Sequence, residues 1–174
     1  MKRLEIFIVL AAVLFVLAYA AYSSPISKSI NLIDLGAVPV NENTPPCIQL
    51  YYYIDKYAEE YNIPKAYAYG VAHVETGYRG PFHWSYNPAQ TSSVGAVGPM
   101  QIMPTTAKMM WPKWEIDKEE LRTNIEFNAK TSMKLLRYLY DRYGDWKTVF
   151  GCYNTGRPCV NEYAERVHSY QLKP

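Results

Sequence analysis

Pro64-Lys65-Ala66-Tyr67-Ala68-Tyr69-Gly70-Val71-Ala72-His73-Val74-Glu75-Thr76-Gly77 is the stretch that decides the fold class. Proline suits the first turn of a helix, where a missing N–H is no loss. From Ala66 to Val74 the residues are mostly small or apolar, and Gly77 supplies the stop. A helix so poor in charge is apolar nearly all round, which predicts a buried, central position. Upstream, Ile48, Tyr51, Tyr52, Ile54, Tyr57, Ala58 and Tyr61 repeat at helical spacing until Asn62-Ile63-Pro64 breaks the pattern. Downstream, Gly80 to Gly98 is rich in Gly, Pro, Ser and Asn and reads as a loop. Pro104-Thr105-Thr106-Ala107 opens another helix that ends near Trp111-Pro112. One long helix is expected over 118–143, closed by Gly144. Asp145 caps a short helix through Val149 to Tyr153, Gly156-Arg157-Pro158 turns, and Val160, Tyr163, Ala164 and Val167 give a last helical stripe. No alternating strand and no internal repeat is evident. The expected class is mainly α, with little or no β-structure.

Met1-Lys2-Arg3 precedes the uncharged run Ile6 to Tyr22, and Ala18-Tyr19-Ala20 offers an A-x-A cleavage pattern. Residues 1–22 are therefore read as a signal peptide or an uncleaved membrane anchor. The run is at the short edge for a membrane span, and Glu5 is unusual for either reading. Residues 23–46 read as a linker and 47–174 as the functional domain. The protein is expected to be exported to the periplasm or cell envelope, anchored to the inner membrane if residues 1–22 are retained. A net charge of +2 carries no basic stripe of the kind a nucleic-acid binder needs. The 17 tyrosines and 4 tryptophans suit both core packing and the lining of a sugar groove.

Export would place Cys47, Cys152 and Cys159 in an oxidising compartment. Three is odd, so one internal bridge at most can form: Cys152–Cys159, Cys47–Cys152 or Cys47–Cys159. Free buried thiols are the alternative. No ligand spacing suggests a metal, and no cofactor is expected. His73-Val74-Glu75 matches the H-x-E of zinc deaminases, but no P-C-x-x-C follows, so that reading is rejected. His83 and His168 are isolated.

Glu75 sits at the end of the apolar helix, beside the glycine-rich loop. Burial there would raise its pKa and let it give a proton near neutral pH. Alone, it would read as a surface acid at a helix end. Its neighbours change that. His73-Val74-Glu75-Thr76-Gly77, then Gly95-Ala96-Val97-Gly98-Pro99-Met100-Gln101-Ile102-Met103-Pro104-Thr105-Thr106-Ala107, then Tyr143-Gly144-Asp145-Trp146, then Cys152-Tyr153-Asn154-Thr155-Gly156 occur in order. Together they resemble the soluble lytic transglycosylase family over roughly Ile48 to Val167. There are departures. Thr76 stands where the family has Ser, Pro99 where it has Leu, and Cys152 and Thr155 flank Tyr153-Asn154 where it has Ala. Asn128 matches the Asn of the family's N-I-x-x-G-x-x-Y-L helix, with Ser132 for its Gly and Leu135 for its Tyr, although Asn124-Ile125 also reads N-I. The separation of Glu75 from Gly98 exceeds the family's, so Arg79 to Ser92 holds an insertion with Phe82, His83, Trp84 and Tyr86. It reads as a loop at a groove mouth, sugar-contacting or self-packed.

The resemblance implies a lysozyme-like helical domain that cleaves the MurNAc–GlcNAc β-1,4 bond of peptidoglycan and leaves 1,6-anhydro-MurNAc. It implies Glu75 as the sole acid and base. Met100 and Gln101 would line the groove, Tyr153 would orient or hydrogen-bond Glu75, Asn154 would fix the sugar or loop, and Thr76 would steady the helix end. Alternatives are a hydrolase of the same fold, and a non-catalytic wall-binding module of a secretion, conjugation or phage apparatus. Expected partners are glycan strands, with envelope-spanning or phage machinery as a further possibility, and no nucleic acid.

Overall fold

The computed structural model describes residues 40–170, so the segment 1–22 and most of the linker lie outside the described residues. Among the described residues the fold is helical. Its β-structure is confined to two isolated bridges, Thr91 to Val97 and Val97 to Ile102. Helix α1 (Pro46–Glu60) starts on a proline and buries Cys47, Leu50, Ile54, Tyr57 and Ala58 along one face. Asn62, in the left-handed region at φ +52°, turns the chain into Pro64. Helix α2 (Lys65–Thr76) buries five consecutive residues, Ala68 to Ala72, so it is covered on every side. Gly70 makes one of these approaches possible. A Cβ there would lie 3.0 Å from the Val167 carbonyl and from the Cβ of Tyr170.

After a long loop come α3 (Pro104–Met110), α4 (Lys118–Thr123), α5 (Ile125–Tyr143), α6 (Trp146–Thr155) and α7 (Glu162–His168). The single helix expected over 118–143 is in fact two. Asn124 leaves the helical region at φ −80°, ψ 96°, and its side chain caps the N–H of Phe127. The break keeps the Leu121 carbonyl available to the buried side chain of Asn128. Asn side chains compete with the helix for backbone groups, which is why they favour caps. Gly144 closes α5 in the left-handed region, and Asp145 caps α6 by accepting from the Thr148 N–H at 2.8 Å, as expected.

Helix α5 packs against α1 and α6, α7 packs against α6 and α2, and α2 also meets α1. Leu50, Ile54, Val71, Met133, Leu136, Val149 and Phe150 form the centre of the core. Trp146 closes one side, stacked on Tyr140 at 4.4 Å and on Phe150 at 5.6 Å. No helix among the described residues is long and apolar enough to cross a membrane. The three cysteines are free thiols, Cys47 and Cys152 buried and Cys159 partly so.

Candidate active site

The C-terminal end of α2 delivers Glu75 to the site. Gly77, at φ +71°, donates to the His73 carbonyl at 2.9 Å and fixes where the helix stops. Glu75 therefore leaves the last turn beside the returning loop. Its carboxylate accepts a hydrogen bond of 2.6 Å from the Tyr163 hydroxyl. Burial pushes the carboxyl pKa up to about 7, and the Tyr163 bond opposes this by stabilising the charged form.

The hydrogen bond expected from Tyr153 thus comes from Tyr163, on α7. Tyr153 has another task. Its hydroxyl donates to the Met100 carbonyl at 2.7 Å and meets Ser132 Oγ at 2.9 Å. A phenol has one proton, so Ser132 is the donor in the second contact. Both phenols are pushed well up, first by burial and then by the nearby Glu75 charge.

The segment Gly98–Gln101 lies against the end of α2, where its Pro99 carbonyl meets Thr76. Asn128 holds this segment. Its side-chain amide donates to the Val97 and Leu121 carbonyls and accepts from the Met100 N–H, each at 2.9 Å. Asn128, rather than the capping Asn124, therefore does the loop-holding work. Gly98 must be glycine, because at φ +79° a Cβ would lie 2.3 Å from Asn128 Nδ2. Met100 corrects an expectation. Its side chain is 0% exposed and packs into the core, so only its main chain serves the site. Gln101 adopts φ +50°, an uncommon conformation for a residue with a side chain. Its amide donates to the Gly98 carbonyl at 2.9 Å and to the Gln90 carbonyl at 3.3 Å. Thr76 does tie the helix end down: its hydroxyl reaches the Pro99 carbonyl at 2.9 Å and the Ala72 carbonyl at 3.1 Å.

Tyr153 and Asn154 also line a groove of about 480 Å³, together with Met103, Leu135, Leu139 and Arg142 among others. Glu75 is not part of its lining. Asn154 is exposed there, and its side-chain carbonyl accepts from Asn161 at 3.1 Å. Met103, not singled out from sequence as a site residue, lines this groove, whereas Met100 and Gln101 do not. The route to Tyr163 depends on Gly151. A Cβ at that position would lie 1.8 Å from the Cys159 carbonyl, so glycine lets the turn before α7 lie flat on α6. No cluster of metal-ligating side chains occurs among the described residues. Glu75 is half-buried; the fully buried polar side chains among the described residues are Asn128, Thr131 and Ser132, and no carboxylate is among them.

Residues 52–173 match the family model described as the transglycosylase SLT domain. A transglycosylase of Enterobacteria phage PRD1 is 33% identical over 114 residues, covering 66% of this chain and 37% of the phage protein. The 70-kDa soluble lytic transglycosylase of Escherichia coli aligns with a TM-score of 0.51 and 28% identity, over 67% of this chain and 18% of that one. A complex of a 70-kDa soluble lytic transglycosylase with bulgecin A gives the same TM-score, identity and coverage. The chain thus spans well under half of the length of each of these relatives.

Proposed function

Because this chain belongs to the transglycosylase SLT domain family, we propose that it is a lytic transglycosylase acting on peptidoglycan outside the cytoplasm, with Glu75 as its acid and base. The observation that carries this reading is the state of Glu75, balanced between burial and the Tyr163 hydroxyl at a pKa of about 7. General acid–base catalysis is most effective when the group's pKa lies near the working pH. A carboxyl so poised is substantially protonated at neutral pH, yet its carboxylate keeps a donor when the proton has gone.

Two-carboxylate glycosidases divide acid and base between two residues. Here one half-buried carboxyl with a raised pKa supports a reciprocating scheme. Protonated Glu75 gives its proton to the oxygen between MurNAc and GlcNAc, and the C1–O bond breaks. The N-acetyl group helps stabilise the oxocarbenium-like intermediate. Carboxylate Glu75 then takes the proton of the MurNAc 6-hydroxyl as that oxygen bonds to C1. The products are a free GlcNAc 4-hydroxyl and a 1,6-anhydro-MurNAc end, with no water consumed and Glu75 protonated again. Asn154 and Gln101 are the polar side chains assigned to holding the sugar.

The phage relative supports one setting for this activity, local opening of the wall by a phage or envelope-spanning machine. The test is digestion of purified sacculi by wild type and Glu75→Gln. Wild type is expected to release anhydro-muropeptides and the folded variant none. Undiminished release by Glu75→Gln would remove Glu75 from the reaction.

A further inference from the structure

The insertion over 79–92 has two sides. Phe82 and Trp84 are 57% and 65% exposed, whereas Tyr86 is 6% exposed and points back toward the end of α2. Its ring is held by Tyr78 at 5.0 Å and His83 at 5.6 Å. Its hydroxyl lies 2.7 Å from Thr76 Oγ1. The same Thr76 oxygen contacts the Ala72 and Pro99 carbonyls, neither of which can donate. The single threonine proton goes to those carbonyls, so Tyr86 donates to Thr76.

The bond chain is then directional: Tyr86 hydroxyl to Thr76 hydroxyl to Pro99 carbonyl. Thr76 adjoins Glu75, and Pro99 adjoins Met100, whose main chain is held by Asn128 and Tyr153. Gln90 of the same insertion adds a second tie. Its amide donates to the Thr76 carbonyl at 3.3 Å, and its own carbonyl accepts from the Gly98 N–H at 2.9 Å and the Gln101 amide at 3.3 Å. The insertion therefore joins the residue after Glu75 to the segment opposite.

We propose that Tyr86 is a positioning residue for Glu75. Its donated hydrogen bond locks Thr76 onto the Pro99 carbonyl and so fixes the last turn of α2 relative to Gly98–Gln101. The proposal rests on the lytic transglycosylase reading given above. Tyr86 touches no carboxylate, so it acts on geometry rather than by moving protons. Small misplacements of a catalytic group lower the chemical step far more than ground-state binding.

The test uses Tyr86→Phe, which keeps the ring and its stacking and deletes only the hydroxyl, assayed on soluble glycan strands. The expected result is a kcat lower by between about 10-fold and 100-fold with KM little changed. The alkaline limb of the pH profile should also move to lower pH, because a loosened turn admits water to Glu75. Glu75 is faced by the Tyr163 and Tyr153 phenols, both neutral in this range, so the limb belongs to Glu75. Thr76→Val, which removes the acceptor, should give the same changes, and the double variant should be no worse than the poorer single. Thr76→Val also serves where Tyr86→Phe melts below the assay temperature. Wild-type kcat and an unmoved limb in either folded variant overturn the proposal, as do strictly additive losses. A wild-type protein that releases no product overturns the enzymatic reading and this proposal with it. An active wild type beside an unimpaired Tyr86→Phe overturns the proposal alone.

Discussion

Replacing Glu75 with Gln should stabilise the protein at neutral pH and leave its stability unchanged in acid. The carboxyl's pKa rises from 4.5 to about 7 on folding, because burial outweighs the Tyr163 hydrogen bond. An acid with a raised folded pKa binds its proton more tightly in the native state. Stability therefore falls as pH rises between the two values. The penalty is absent below pH 4.5 and complete above about pH 7. Its ceiling is roughly 2.5 units at 1.36 kcal/mol each, or about 3 kcal/mol. The side chain is not fully buried, so about 2–3 kcal/mol is the working figure. Glutamine keeps an oxygen to accept from Tyr163 but carries no charge to desolvate. At about 2–4 °C per kcal/mol, Glu75→Gln should melt roughly 5–10 °C above wild type at pH 8. The two should melt together at pH 4. Thermal denaturation of both proteins across this range measures the difference, and other titrating groups cancel. A constant offset at every pH, or a less stable variant at pH 8, would refute the claim that the fold forces a proton onto Glu75.

Tyr163→Phe deletes the donor that favours the Glu75 carboxylate. A hydrogen bond to a charged group is worth about 1.5–3 kcal/mol, so the alkaline limb of the kcat/KM profile should move up by about 1–2 units. An unmoved limb would mean that this bond does not form in solution. Asn128→Ala should cost about 3–5 kcal/mol in urea unfolding, since three buried hydrogen bonds are lost and the Met100 N–H is stranded. A loss below about 1 kcal/mol would contradict the buried network. Gly151→Ala should displace the Cys159 backbone and, with it, Tyr163. Activity is expected to fall even in a variant that stays folded by circular dichroism, and full activity would separate the turn from the site.

Much of the site can be read from the chain because its local rules are strong. Gly77 after an apolar helix fixes the place of Glu75, and Gly144-Asp145 ends one helix and caps the next. What escapes the sequence depends on tertiary aim. Tyr153 and Tyr163 both lie on apolar helix stripes, and nothing in the spacing says which hydroxyl meets Glu75 and which the Met100 carbonyl. Met100 turns inward and Met103 lines the groove because the chain reverses around Gln101, at φ +50°, between them. The break at Asn124 is hidden because one side-chain cap and one carbonyl needed by Asn128 override a continuous helical pattern. The insertion reads from sequence as a groove-mouth loop, sugar-contacting or self-packed, and only the structure shows Tyr86 buried against Thr76 while Phe82 and Trp84 stay exposed.

On the proposed reading, one half-buried carboxyl poised near neutrality cleaves the glycan without water. Digestion of sacculi in water enriched in heavy oxygen, with mass analysis of the released ends, tests it most directly. The expected products are MurNAc ends lighter by one water than reducing ends, carrying no label. Reducing ends carrying the label would contradict it and make this fold a hydrolase.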